Sequence, residues 1–320
     1  MQAGCLLLGI PIALFISSKD YRAVPYSVWL TIPVLVLMLL TFTPLGYEVP
    51  GTDDRNWLLI PLFGKQFLIQ PSELLKITVI LTLSHHIETV GERIKEPLSL
   101  LGLLIHAAIP VLLIFLQGDD GNAVVCLIIV AALLFIGGIP LSYALGGIVL
   151  SLAAIPLLWQ RMSVDKKSRF LCLFQVENYR QTTGWQQDLS VTAIGSGRWC
   201  GVGYLQGGND HLYARQNDFI FTVSGEEFGF VGAILLIGLL TMILLLLYRT
   251  ALRASTRRGF LICGGLMVLI ATQAVINIGM ALRLMPVLGI TLPFFSAGGS
   301  SLLTLFLGIG IAMSVYRYRH

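Results

Sequence analysis

Charge is scarce in this sequence. Only 12% of its 320 residues are Asp, Glu, Lys or Arg, about half the ~25% typical of soluble globular proteins. That excludes a soluble domain with a charged surface. The net charge of +4 gives no nucleic-acid-binding signature. Cysteine is also sparse: Cys5, Cys126, Cys172, Cys200 and Cys263 show no paired metal-ligand spacing. Cys126 and Cys263 lie in apolar runs and read as small buried thiols. Cys172 and Cys200 share one polar stretch, so a bridge between them stays open. A basic segment ahead of the first apolar run is missing, which argues against a cleavable signal peptide. No internal repeat is visible, which disfavours inverted-repeat transporter folds. His85, His86 and His106 have no metal-like partners and read as helix-end or packing residues.

What is present is hydrocarbon. Hydrophobic residues make up 56% of the chain and the mean hydropathy is +0.82. They come in blocks of roughly 20, the length that crosses a bilayer as a helix. Nine spans are expected, near 2–17, 26–43, 69–87, 98–116, 121–138, 141–160, 222–248, 259–282 and 294–316. The fold class is an all-α polytopic membrane protein, with residues 1–320 as a single domain and 162–216 as its one large external loop. Lys19, Arg22, Arg93, Lys95, Arg249, Arg253, Arg257, Arg258, Arg317 and Arg319 fall on one side of these spans. Because short basic loops stay in the cytoplasm, that side and the C-terminus are cytoplasmic and the 44–68 and 162–216 loops are external. Residue 1 then starts outside, as if one helix preceded it.

The external 162–216 loop is nevertheless basic, with Arg161, Lys166, Lys167, Arg169, Arg180, Arg198 and Arg215 against Asp165, Glu177, Asp188 and Asp210. Two readings remain open: a weakly constrained long loop, or a cradle for an anionic ligand such as a pyrophosphate. The loop ends on Asp218, with Glu226 and Glu227 following inside the apolar run. Carboxylates at a membrane boundary are costly. Asp218 reads either as a helix cap or as a general base. If the stretch is helical, Glu226 and Glu227 sit ~12 Å deeper, Glu226 on the side nearer Asp218, or both pair with basic neighbours.

Four further places carry polar chemistry. Gln70-Pro71-Ser72-Glu73-Leu74-Leu75-Lys76 opens a span, and Glu73 and Lys76 share a face, as an ion pair or as one wall of a polar cavity. Asp53, Asp54, Arg55 and Trp57 read as an external loop with an interfacial aromatic anchor. Gln117-Gly118-Asp119-Asp120-Gly121-Asn122 is a turn, although Asp119 and Asp120 also have the chemistry to hold a divalent cation such as Mg or Mn. From Asn277 to Ser301, Arg283, two prolines and clustered glycines (including Gly298 and Gly299) interrupt the helical pattern. Such a break needs either close packing through small residues or a polar cavity to satisfy its backbone.

Together these residues resemble the SEDS family (shape, elongation, division and sporulation), which includes RodA, FtsW and SpoVE, and most of all its RodA-type members. The most specific match is Asn277, Arg283-Leu284-Met285-Pro286-Val287-Leu288-Gly289 and Pro293-Phe294-Phe295-Ser296-Ala297-Gly298-Gly299-Ser300. Gln70–Glu73, Ala193–Gly197, Asp218–Phe221 and Gly225–Glu227 fit in the same order. The resemblance implies ten transmembrane helices, of which the first is absent here. It also implies a peptidoglycan glycosyltransferase that polymerises lipid II beside a class B penicillin-binding protein. The family's essential external Asp corresponds to Asp218, and the Trp of its first large external loop to Trp57. Three elements depart from the family pattern: Tyr213–Asn217 replaces Pro-Glu-x-His-Thr, the Gln117–Asn122 turn is altered, and Val202 stands where a basic residue is usual. Trp57, Glu73, Lys76, Asp119, Arg198, Arg215, Glu226, Arg283, Ser296, Gly298, Gly299 and Ser300 are the expected supporting or substrate-binding residues. A lipid II flippase and a scaffold that has lost catalysis are the competing readings.

Overall fold

The computed structural model describes residues 2–23, 28–48, 54–62, 65–179, 182–208 and 211–319. Its elements are α1 (Gln2–Ser17), α2 (Val28–Leu40), the strands β1 (Gly46–Tyr47), β2 (Trp57–Leu62) and β3 (Lys65–Ile69), then α3 (Pro71–Val90), α4 (Pro97–Leu116), α5 (Asp120–Ile136), α6 (Leu141–Arg161), α7 (Val164–Phe174), α8 (Val176–Tyr179), α9 (Trp185–Ser196), α10 (Ile220–Glu227), α11 (Gly229–Leu252), α12 (Arg257–Ala281) and α13 (Gly299–Arg317). Every expected span falls on helix. Among the described residues α4, α6, α11, α12 and α13 are long and apolar enough to cross a membrane, while α1, α5 and Leu30–Leu40 of α2 are apolar but shorter. α3 has the length but carries Glu73, Lys76 and Glu88.

Three expectations are corrected. The 44–68 segment is not a plain loop: β1, β2 and β3 form an antiparallel sheet in that order, with Tyr47 opposite Trp57 and Leu58 opposite Ile69. The 162–216 segment is partly helical, through α7, α8 and α9. The 222–248 span is broken: α10 stops at Glu227 and α11 begins on Gly229, whose φ is +66°. Asp53, Arg180 and Asp210 lie outside the described residues.

The chain divides into two compact units: Met1–Ile139 with Leu244–Thr272 and Ala297–His320, and Pro140–Ile243 with Gln273–Ser296. In the first, α1 lies along α13, where Gly310 has no side chain and the backbone of Ala13 fills the space a Cβ would need. Such small-residue contacts are what let helices approach closely in lipid. The connection after α1 is tied down by polar bonds: Tyr21 N donates to Ser314 Oγ at 3.0 Å, Ser314 Oγ donates to the Lys19 carbonyl at 2.6 Å, and the Tyr21 hydroxyl meets Thr256 Oγ1 at 2.8 Å. Arg258 holds Glu88 at 2.7 Å and Arg257 donates to the Gly137 carbonyl at 2.6 Å. In the second unit, α9 packs on α10.

Candidate active site

The second unit positions Asp218. Ala214, at φ +54°, accepts at its carbonyl from Asn217 N (2.9 Å) and Asp218 N (3.0 Å), making a tight turn. The buried Phe219 then occupies the N-cap position of α10. Asp218 therefore precedes the helix and does not cap it. Its carboxylate has no hydrogen bond or ion pair among the described residues, and a side chain on Gly289 would meet it, at 3.8 Å from Oδ2. The residue keeps part of its surface accessible. The surrounding protein still pushes its pKa up to about 6, by desolvation of the charged form.

The backbone on either side of that carboxylate is clamped. Asn277 Nδ2 donates to the Asp218 carbonyl at 2.8 Å and to the Ile290 carbonyl at 2.7 Å. Ser296 Oγ donates to the Asn217 carbonyl at 2.6 Å and accepts from Leu292 N at 2.7 Å. The interrupted stretch after α12 thus holds the Asp218 turn through two polar side chains.

The same stretch is satisfied from α9. Gln187 Nε2 donates to the carbonyls of Met280 (3.0 Å) and Met285 (2.8 Å), and Ser190 Oγ donates to that of Ala281 (2.7 Å). Arg283, at φ +60°, forms an ion pair with Asp188 and donates to the Cys172 carbonyl at 3.2 Å. Of the two readings left open, close packing by protein describes these carbonyls, and Arg283 links α7 and α9. Cys172 is buried, Cys200 is exposed, and both are free.

Glu226 and Glu227 are buried at the end of α10. Glu226 Oε1 accepts from Gly208 N at 3.0 Å, and Glu227 pairs with Arg215 at 3.1 Å. The break after them is sealed by the glycine-rich loop. Val202 N and Gly203 N donate to the carbonyls of Glu226 and Glu227 at 2.9 and 3.2 Å, and Phe230 N and Val231 N donate to those of Arg198 and Trp199 at 2.8 and 3.2 Å. The Val202 position works through its backbone. A Cβ on Gly229 would sit on the backbone of Gly201 and in a left-handed conformation. Gly229→Ala should cost about 2 kcal/mol or more, visible as a melting temperature lowered by several degrees.

In the first unit, Asp119 caps α5: Oδ1 accepts from Asn122 N at 3.1 Å, while Oδ2 accepts from Gln70 Nε2 (2.8 Å), Asn122 Nδ2 (2.9 Å) and Ser72 Oγ (3.2 Å). Lys76 Nζ, fully buried, bonds Glu73 at 2.8 Å and Asn122 Oδ1 at 2.6 Å. Both Asp119 oxygens thus face donors. Among the described residues no three His, Cys, Asp or Glu side chains gather as metal ligands.

Residues 1–320 match the family described as Cell cycle protein, that of FtsW, RodA and SpoVE. The chain belongs to this family. It is 31% identical over 325 residues to the peptidoglycan glycosyltransferase MrdB of Escherichia coli K12, covering 99% of this chain and 85% of that protein. With the probable peptidoglycan glycosyltransferase FtsW of Saccharophagus degradans it shares 34% identity over 302 residues, 88% and 74% of the two chains. A chain of a solved peptidoglycan synthase complex that coordinates polymerization and crosslinking superposes with a TM-score of 0.84 at 30% identity, over 100% of this chain and 89% of the other. The Thermus thermophilus rod shape determining protein RodA gives 0.71 at 29% identity, over 100% and 87%.

As a FtsW/RodA/SpoVE member, the chain is a multi-pass membrane protein. Its expected site residues divide between the two units. Arg198, Arg215, Asp218, Glu226, Arg283 and Ser296 belong to the second. Trp57, Glu73, Lys76, Asp119, Gly298, Gly299 and Ser300 belong to the first, where Trp57 lies on β2, Ser300 Oγ accepts from Gln70 N at 3.3 Å, and Gly298 and Gly299 open α13. Asn277 and Asn122 were not among the expected residues, although each sits in a motif the sequence displays.

Proposed function

We propose that this chain is a peptidoglycan glycosyltransferase that polymerises lipid II at the outer face of the cytoplasmic membrane, as one transferase domain with its C-terminus inside. The observation that carries the reading is Asp218: a carboxylate on a clamped turn, without a partner among the described residues and with a pKa raised to about 6. A base works best with its pKa near the operating pH. Asp218 takes the proton from the acceptor sugar hydroxyl, and the oxygen attacks the anomeric carbon of the donor. The bond to the lipid diphosphate breaks, and the leaving group departs with its negative charge. Loop cations, the exposed Arg198 among them, neutralise that charge. A class B penicillin-binding protein is the proposed partner.

A flippase reading loses its supports. A flippase would line its transit path with the Asn277–Ser301 break and the Glu73/Lys76 pair, yet Asn277, Ser296, Ser300, Glu73 and Lys76 are bonded to protein within their own units. The intact clamp on Asp218 speaks against a scaffold without catalysis. Gel-based polymerisation of lipid II by the purified protein, with and without the partner and with and without Mg or Mn, tests the proposal. Glycan product supports it; lipid II crossing vesicle membranes without product overturns it. Asn277→Ala should lower kcat about 10- to 100-fold with little change in KM, because it loosens the carboxylate without touching substrate. Initial rates in the same assay check this.

A further inference from the structure

Beside the α10–α11 break, the second unit contains a cavity of about 470 Å³ lined by Arg198, Trp199 and Phe230. Trp199 and Phe230 meet edge to face, with ring centroids 5.3 Å apart. Arg198 is exposed, and its guanidinium has no partner among the described residues. Its backbone sits at φ +46° without being glycine, a conformation that persists only where the surroundings hold it. Here they do: the Arg198 and Trp199 carbonyls receive the first amides of α11. The turn is therefore pinned, and its two large side chains stand outward.

Phe230 is the second residue of α11, whose best window has a mean hydropathy of 3.0. The cavity thus lies where the chain passes from polar loop to hydrocarbon. Below it, Phe230, Ile234 and Ile237 follow one face of α11, at 51%, 53% and 42% exposure. A fork of guanidinium donors suits phosphate oxygens, and an aromatic floor continuing into an apolar stripe suits a hydrocarbon chain.

We propose that Arg198, Trp199 and Phe230 bind the diphosphate head of a polyprenyl lipid, whose chain lies along the Phe230–Ile237 stripe. The identity of the lipid rests on the glycosyltransferase reading. The eight residues of α10, ~12 Å of helix, connect the Asp218 turn to the break that carries the cavity, a span suited to a sugar diphosphate. No ordinary bilayer lipid would need that link.

The test titrates undecaprenyl diphosphate, undecaprenol and phosphatidylglycerol onto the purified full chain in detergent, read by native mass spectrometry. Undecaprenyl diphosphate should bind the wild type at least tenfold more tightly than Arg198→Ala, the worth of a hydrogen bond to a charged group. Arg198→Lys should recover part of the loss, and Trp199→Ala should also weaken binding. Undecaprenol, without phosphate, should not distinguish wild type from Arg198→Ala. Equal binding of undecaprenyl diphosphate to both would overturn the proposal, as would its displacement by phosphatidylglycerol at equal concentration. The two residues are exposed, so matching melting temperatures exclude misfolding. Asp218→Asn should bind undecaprenyl diphosphate like the wild type. A failed binding test beside a working polymerisation assay removes this site and leaves the function standing.

Discussion

Asp218→Asn should make no glycan from lipid II, with a rate reduced at least 10²–10⁴-fold, and should unfold at a temperature no lower than the wild type. Asparagine keeps the size and the backbone of the turn, so the Asn277 and Ser296 clamps, which hold carbonyls, are untouched. Only the ability to accept a proton is lost. In the wild type, polymerisation should decline as the pH falls below about 6, where the Asp218 carboxyl takes up its proton. The stability effect has the opposite sign from that of a salt-bridged carboxylate. Burial raises the folded-state pKa above the unfolded value, so the ionised form is disfavoured in the folded protein at neutral pH. Removing that charge should stabilise Asp218→Asn by about 1–2 kcal/mol at pH 7, after allowance for the partial exposure of the group. The difference should shrink as the pH falls through 6 and vanish near the unfolded value of roughly 4. Polymerisation gels and thermal unfolding across pH 4–8 measure both. Undiminished polymer from the variant would remove Asp218 from the chemistry.

The spans were legible because bilayer length and hydrophobicity are written directly into composition. A helix start was legible where the backbone needs a special residue: Pro71 begins α3. The α10–α11 break was not. Gly229 within an apolar run looks like any helical glycine, and what crowds it is the backbone of Trp199, Cys200 and Gly201, approaching from another part of the chain. The sheet was missed for a related reason. Trp57–Leu62 and Lys65–Ile69 are short, and their pairing partner is each other and not a periodic pattern. At the site, Asp218 stood out because an acidic group beside hydrocarbon is conspicuous. Asn277 stood out as part of a motif, but its role did not, since it depends on carbonyls 59 and 13 residues away. Arg283 was visible but its partners were not. Nothing local says that its partners are Asp188 and the Cys172 carbonyl.

Lys76→Met should be the most destabilising single change in the first unit, costing about 3–5 kcal/mol. Lys76 is fully buried between Glu73 and Asn122. Methionine fills a similar volume, so the loss is electrostatic: it leaves the nearly buried Glu73 carboxylate without its cation and Asn122 Oδ1 without its donor. Because Asn122 also donates to Asp119, which in turn accepts from Gln70 and Ser72, the disturbance reaches the N-termini of both α3 and α5. The double variant Glu73→Gln with Lys76→Met removes the uncompensated charge. Replacing a buried ion pair with neutral groups of similar size is often nearly neutral, so this variant should regain most of the lost stability. Thermal unfolding of the wild type, the single variants and the double variant in detergent gives the coupling directly. A structural pair predicts that folded double variant still polymerises lipid II at near wild-type rate, whereas a pair that contacts substrate predicts a stable but inactive protein. The saturation of Lys76, Asn122 and Asp119 by one another supports the first outcome.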